Sequence, residues 1–544
     1  MDTSKTSYDP FNPAAPEYRW KFWARVVTEQ KIYVHIFWRK IVLALTTAGL
    51  LAWLLGAGAI WAFLKYQRDV PGISYVDLVL PSRWDNYRAA LGRHYIELGR
   101  RDLAQREYRS ALTHLIAGMQ RAPDDIVGRR LLAVTYMRFG RVDLGLATLN
   151  EGLALARDDL DYLKLAFALL LESQEDTQVI TLARQLLPAL PDTRLTHQFI
   201  ALQAATAWFQ RGRYDEAESL IETWGLTAAA EGQLLLARTD WERGYPDLAL
   251  LRLAEQIPRF PGNDALSLEL IHRLRELGRH DEARRQALLR QFKLPDAPGP
   301  RIDLLETLAD SNDSSGMQRE IARFLAEFAD DPSALVLLAW FGVDHNDRKL
   351  VQRVAALAQA HRHPPNAFNL ALIQAEIEAL DFKAARAAAI MALRQDEENL
   401  PGFTTTVAAL EAVALYGLQE NERAELTLKS YLSQGRIRTA DALYLSRQLT
   451  LLGVPDAARL VLARLTLSDP QNQAALTELI RLDLHAANWT ALRTELPLFL
   501  KMRKPSRRVL EEILLQLNGQ TDPALKAQIQ EALARSPAQP ASAT

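Results

Sequence analysis

Few side chains in this sequence are spaced for chemistry. His361 and His363 stand two apart in His-Arg-His-Pro-Pro. Such a pair holds a metal only weakly, because zinc takes three or four protein ligands and no third histidine or carboxylate lies near them in sequence. Asp344 and His345 could serve as an acid–base couple, but Gly-Val-Asp-His-Asn-Asp is the composition of a turn between helices. The pairs Asp124-Asp125, Asp158-Asp159, Asp330-Asp331 and Glu397-Glu398 recur just ahead of helical patterns. The positive end of a helix favours negative charge there, which is a structural role. There is no P-loop, no dinucleotide fingerprint, no His-Glu-x-x-His and no Gly-x-Ser-x-Gly. Cys is 0, which removes disulfides, thiolate metal sites and a cysteine nucleophile together. The expectation is a protein that is not an enzyme and takes no cofactor and no metal.

Charge balance narrows the partners. Lys+Arg is 64 and Asp+Glu is 66, a net charge of -2, which lacks the basic excess of a nucleic-acid coat. No nucleic-acid partner is expected. With 544 residues and an apolar share of 49%, the chain is long enough for several domains or one repeat array.

The elements that would carry any binding side chains begin with a span. Ile41 to Leu64, IVLALTTAGLLAWLLGAGAIWAFL, is uncharged over 24 residues. As a helix it reaches ~36 Å, enough to cross a ~30 Å hydrocarbon core. Phe37, Trp38, Trp61 and Tyr66 sit where interfacial aromatics belong. Ala57-Gly58-Ala59 has the form of a leader cleavage site, but the 40 residues before the span exceed an ordinary leader's basic region. Lys21, Arg25, Lys31, Arg39 and Lys40 precede the span, and Lys65, Arg68 and Arg83 follow it. That excess puts the N-terminus in the cytoplasm and the rest of the chain across a bacterial inner membrane. Ala44, Ala48, Ala52 and Gly56 form a small-residue face on which a second copy could pack. Residues 1–16 read as a flexible tail. Glu17 to Lys40 reads either as an amphipathic helix on the inner leaflet or as a helix continuing into the span.

After the span the sequence repeats. Leu91-Gly92-x-x-Tyr95-x-x-Leu98-Gly99 is followed by Ala104, Tyr108, Ala111 and Leu112, and Leu132-Ala133-x-x-Tyr136-x-x-Phe139-Gly140 by Leu149 and Leu153. Gly212, Gly244, Gly278 and Gly453 each precede an alanine by five residues, at Ala217, Ala249, Ala283 and Ala458. Gly417 stands 36 residues before Gly453. The glycine permits a left-handed helix end, and the alanine lets two antiparallel helices close. Each hairpin then leaves a face that only the next can cover. This pattern resembles the tetratricopeptide repeat family, a 34-residue helix–turn–helix unit, over about Arg83 to Ala534. The resemblance implies an all-α fold, a right-handed α-solenoid of ~13 hairpins after one transmembrane helix. The stretches around Ser173, Asn312 and Asp344 lack the turn glycine. Leu294 to Pro300 and Ser311 to Gly316 are expected as loops. The first should be non-helical because of its prolines, and the two could divide the array into halves at 83–294 and 295–535. Residues 65–82 read as a juxtamembrane linker and 536–544 as a disordered tail.

In that family the first helix of each unit lines a concave groove. By the resemblance, Arg93, Arg238, His272 and Arg447 face inward, with Arg130, Arg138 and Arg275 beside them. A line of guanidiniums could grip acidic side chains or a peptide carboxylate. The family's carboxylate-clamp pattern of Lys and Asn is not evident. The expected function is a membrane-anchored scaffold that binds proteins or peptides, serving an envelope complex for secretion, pilus or surface-polysaccharide assembly. The alternatives are a cytoplasm-facing regulator of envelope biogenesis, whose known bacterial counterparts end in a cysteine knuckle missing here, and, remotely, an enzyme using the groove as a platform.

Overall fold

The computed structural model describes residues 21–28, 31–139, 141–395, 401–433, 437–470, 472–503, 505, 507–517 and 523–535. Both expected tails, Glu17, Glu29, Gly140, Glu397 and Glu398 lie outside them. The chain divides into two compact units, Met1–Arg157 and Asp158–Thr544.

The first unit opens with β1 (Trp23–Thr28) and β2 (Lys31–Ile36), an antiparallel pair in which Trp23 faces Ile36 and Ala24 faces His35. This corrects the expected helix over the described residues from Trp23 to Ile36. Aromatic and β-branched residues fill both segments, and their alternation suits a pleated strand better than a helix. The apolar helix α1 (Trp38–Ala62) follows and closes in a π turn to Gln67. Together they make 30 residues, long and apolar enough to cross a membrane. Leu43, Leu45 and Leu55 are each about two-thirds exposed or more along it.

The expected linker over 65–82 is instead a folded element. It turns at Gly72, forms the short helix α2 (Tyr75–Val79) and runs back along α1. Carbonyls that no helix would satisfy are met by indoles. Trp61 donates to the Ile73 carbonyl at 3.2 Å, Trp53 to Val79 at 3.0 Å and Trp84 to Leu78 at 3.2 Å. The Tyr75 hydroxyl donates to the Leu54 carbonyl at 3.0 Å.

Two hairpins complete this unit, α3 (Trp84–Ala104) with α4 (Tyr108–Met119) and α5 (Ile126–Arg138) with α6 (Val142–Gly152). Gly99 is no turn residue, contrary to the repeat pattern. It lies inside α3, where an added Cβ would stand 2.7 Å from Leu115. The glycine there sets a close helix approach, and the left-handed turn falls on Arg106.

The second unit holds eleven hairpins among the described residues. They are α7 (Leu160–Glu172) and α8 (Asp176–Leu186), α9 (Leu195–Gln210) and α10 (Tyr214–Thr223), α11 (Ala230–Glu242) and α12 (Pro246–Gln256), α13 (Asp264–Glu276) and α14 (His280–Lys293). Next come α15 (Pro298–Asp310) and α16 (Ser314–Glu327), α17 (Pro332–Asp344) and α18 (Arg348–Ala360), α19 (Asn366–Glu378) and α20 (Phe382–Gln395). The last four are α21 (Pro401–Gly417) and α22 (Asn421–Leu432), α23 (Thr439–Leu451) and α24 (Pro455–Ser468), α25 (Gln473–His485) and α26 (Trp489–Lys501), α27 (Arg507–Leu517) and α28 (Pro523–Arg535). The fold is an all-helical solenoid of tetratricopeptide-like hairpins.

One turn geometry repeats. Gly212, Gly244, Gly278 and Gly453 have positive φ, and the next N–H reaches the carbonyl five residues back, as in Arg213 to Trp208 at 2.9 Å. Where glycine is missing, Gln174, Asn312, Asn346, Leu380 and Gln419 adopt the same left-handed geometry. The hydrogen bonds are the same too, as in Asp313 to Leu308 at 2.9 Å. Gly417 is thereby corrected: it ends α21 against the Phe382 ring, two residues before the turn. The second aspartate of each pair at Asp125, Asp159 and Asp331 caps its helix by accepting backbone N–H bonds. Ala217, Ala249, Ala283 and Ala458 are all 0% exposed, as close helix packing requires.

Both expected loops are shorter than anticipated. Pro298 and Pro300 lie in the first turn of α15, where a missing N–H costs nothing. Asp313 caps α16 directly after Asn312. Arg290 of α14 pairs with Asp303 of α15 across the expected seam, and the boundary between units falls at Arg157 instead.

Candidate partner-binding surface

The first helices of successive hairpins carry the expected inward cations. One repeat further along, a side chain falls beside its equivalent, and in the second unit that neighbour is often an acid. Arg238 of α11 donates from Nε and Nη2 to Glu269 of α13, at 2.9 and 2.7 Å. Glu269 also accepts from Arg273 at 2.8 Å. Arg275 of α13 reaches Asp310 at 2.5 Å and Glu306 at 2.8 Å, both on α15. His345, at the end of α17, meets Glu306 at 3.0 Å. The expected open line of guanidiniums is therefore an ion-pair ladder over this stretch. The acids paired with Arg238 and Arg275 stand 31 to 35 residues on, about one repeat, so stacking of neighbouring hairpins is what brings them together.

His272 keeps an exposed side chain beside the ladder, with neighbouring groups crowding its ring. Burial first, then the Arg275 charge, holds its imidazole below the usual range, against the pull of Glu269 and Glu276. Asp344 is pushed up by burial and then by the Glu306 and Glu378 charges, with His345 opposing. The acid–base couple read from Asp344-His345 is thus split: the imidazole turns to Glu306, and Asn346 makes the turn.

The remaining expected groove residues differ. Arg138 lies over the Tyr108 ring at 3.7 Å. Arg93, Arg130 and Arg447 enter no ion pair among the described residues. Arg93 lines a cavity of about 970 Å³ in the first unit. His361 and His363 tie α18 to the preceding hairpin through Asp330 at 2.7 Å and the Ala329 carbonyl at 3.0 Å. Among the described residues no group of three or more potential metal ligands is assembled.

On α1, Ala52 and Gly56 of the small-residue face border an apolar cavity of about 410 Å³ with Trp53, Leu78 and Trp84. A Cβ added at Gly56 would meet nothing within 4 Å.

One feature of the second unit left no trace in the sequence. Arg503, just after α26, grips Asp176 in the first turn of α8, 327 residues away. Its Nε lies 2.8 Å from Oδ2 and its Nη2 2.7 Å from Oδ1, and Nη2 also donates to the Leu171 carbonyl. The Asp176 carboxylate is 0% exposed. Arg211 donates to the Lys501 carbonyl at 3.3 Å beside it. The first and tenth hairpins of this unit are thereby joined. A second bridge crosses between repeats where Gln448 of α23 donates to Glu378 of α19 at 2.7 Å. Burial, then the Glu378 charge, holds the Tyr444 hydroxyl protonated far above its ordinary value.

A carboxyl pair lies nearby in sequence. Asp483 of α25 is 0% exposed and accepts from Arg459 at 2.5 Å and Asn488 at 2.8 Å. Glu495 of α26 is pushed up to about 7 by burial and by the adjoining Asp483 carboxylate.

No protein-family model matches this chain, and no curated protein does. Solved structures similar to it include yeast Tom70, 14% identical, covering 82% of this chain and 99% of that one with a TM-score of 0.34. A human IFIT1 dimer with PPP-AAAA is 12% identical over 76% of this chain and 90% of that one, TM-score 0.29. The Cut9-Hcn1 hetero-tetramer of APC/C is 12% identical over 81% and 96%, TM-score 0.26.

Proposed function

We propose that this protein is a membrane-tethered scaffold that binds other proteins and carries out no bond chemistry of its own. The observation that supports it is the joining of one long, exposed apolar helix to a run of stacked helical hairpins. A stack of this kind offers a long surface of side chains on rigid helices, which suits capture of peptides or helices. Tethering raises the effective concentration of whatever is captured at the membrane. Arg130 and Arg447, expected groove residues with no internal acid partner among the described residues, are left to meet a partner's carboxylates. The cation excess before α1 favours a cytoplasmic N-terminus and hairpins across a bacterial inner membrane, in the service of an envelope complex.

Alkaline carbonate extraction tests the tether. A protein that stays in the pellet supports it, and release into the supernatant ends it. A reporter fused after Thr544 that is active only outside the cytoplasm tests the side. An inactive reporter selects the cytoplasm-facing regulator instead. Crosslinking in intact cells with mass spectrometry should recover partner peptides joined to residues near Arg130 or Arg447. Crosslinks confined to lipid or to a second copy would refute the scaffold.

A further inference from the structure

The cavity of about 970 Å³ in the first unit lies between the loop after α1 and the first helix of the repeats. Arg68, Asp69 and Gly72 form one wall, and Arg93, His94 and Glu97 of α3 form the other. Arg68 follows Leu64 by four residues, so it stands ~6 Å beyond the apolar span. The polar headgroup layer of a bilayer is about 5–8 Å deep on each side. If α1 crosses the membrane, the cavity opens at the level of the headgroups.

Its charges divide into satisfied and unsatisfied. Asp77 accepts from the Ser74 N–H at 3.1 Å and faces Arg83 at 3.9 Å. Glu97 is held by Arg100 at 2.9 Å and Arg101 at 3.6 Å. Arg68, Asp69 and Arg93 enter no ion pair among the described residues. Two guanidiniums and one carboxylate are therefore left facing the space. Near α3, burial first and then the Arg101 charge hold the His94 imidazole below its usual range, with Asp69 opposing and Arg68 adding a smaller push.

A simple anion would be drawn to the guanidiniums but repelled by Asp69. A simple cation would meet the reverse. A zwitterion with a phosphate at one end and a primary ammonium at the other answers both. We infer that this cavity binds the headgroup of an aminophospholipid, the phosphate between Arg68 and Arg93 and the ammonium against Asp69. The inference rests on the anchor proposed above. Charge-assisted bonds from guanidinium to phosphate are among the stronger polar contacts. An ammonium donates hydrogen bonds to Asp69, whereas a choline group has none to donate.

The test uses the full chain in detergent, doped with equal amounts of phosphatidylethanolamine, phosphatidylglycerol and phosphatidylcholine and read by native mass spectrometry. Phosphatidylethanolamine adducts should exceed the other two by roughly tenfold. The double variant Arg68→Gln, Arg93→Gln should lose that excess. Asp69→Asn should bind phosphatidylethanolamine and phosphatidylglycerol alike. All three positions are exposed, and unchanged helical circular dichroism confirms that the variants fold. Equal retention of the three lipids, or an excess that survives the double variant, overturns the site. Soluble glycerophosphoethanolamine binding as tightly as the lipid also overturns the lipid assignment. Carbonate extraction of the same preparation keeps the two ideas apart. Protein that pellets with membranes yet shows no lipid preference refutes the cavity alone, whereas protein in the supernatant refutes the anchor.

Discussion

Replacing Arg503 with methionine removes the guanidinium and leaves the Asp176 carboxylate without its partner, in a position that is 0% exposed. Breaking a buried pair from one side costs roughly 3–5 kcal/mol, most of it the penalty of the orphaned charge. Arg503 keeps 16% of its side chain in solvent, so water can reach the carboxylate once the arginine is gone. That access reduces the cost to about 2–3 kcal/mol. The hairpins between α8 and α26 are stacked through their own apolar seams and do not need this contact to fold. The loss should appear as local opening. Amide exchange should quicken by roughly 30- to 150-fold at residues 171–179 and 499–503, with the middle of the unit unchanged. The double variant Asp176→Asn, Arg503→Met should recover much of the protection, because it leaves no unpaired buried charge. Unchanged exchange at both segments in Arg503→Met, or a rise spread evenly over the unit, would refute the closing role.

Three further outcomes are expected. Gly417→Ala drives a Cβ into the Phe382 ring and should cost about 1–3 kcal/mol by thermal melting, while Gly262→Ala, with open space around it, should leave the midpoint in place. Glu495 stays protonated to about 7 in the folded chain but ionises near 4.5 when free, so between those values the unfolded chain releases a proton that the folded chain keeps. Stability should thus fall as pH rises from 4.5 to 7 and level off above, by about 1–2 kcal/mol once partial solvent exposure is discounted. Glu495→Gln should flatten that slope in denaturant titrations at pH 5 and 8, and a slope that persists would assign it to other groups. Arg275→Gln leaves Glu306 and Asp310 facing each other and should lower the melting midpoint, whereas Arg447→Gln should leave it within about 0.5 kcal/mol and reduce partner crosslinks.

Local rules explain what was legible in advance. The apolar run from Ile41 to Leu64, the alanines five residues after the turn glycines and the aspartates ahead of α5, α7 and α17 act over a few residues, and each emerges where the sequence puts it. Rules of that range also misled. Gly99 and Gly417 carry the repeat signature yet serve as close-packing points, because a glycine looks the same whether it is wanted for its φ or for its missing Cβ. Glu17 to Lys40 offered apolar residues near helical spacing, and β-branched and aromatic side chains made strands of Trp23–Thr28 and Lys31–Ile36.

The binding surface was less legible. The types and numbers of the arginines expected to face inward could be read off, but not which of them find an acid. Arg238 and Arg275 are neutralised by residues 31 to 35 positions on, a distance only stacking makes short. The grip of Arg503 on Asp176 is the extreme case. Each is one of many charged residues in sequence, and nothing local links them across 327 positions. Sequence alone determined the helical hairpin, its turn and its membrane-length neighbour, because backbone hydrogen bonding and side-chain periodicity act locally. Only the tertiary structure decided which charges are spent inside the solenoid and which remain free, because that depends on how far each successive hairpin turns relative to the one before.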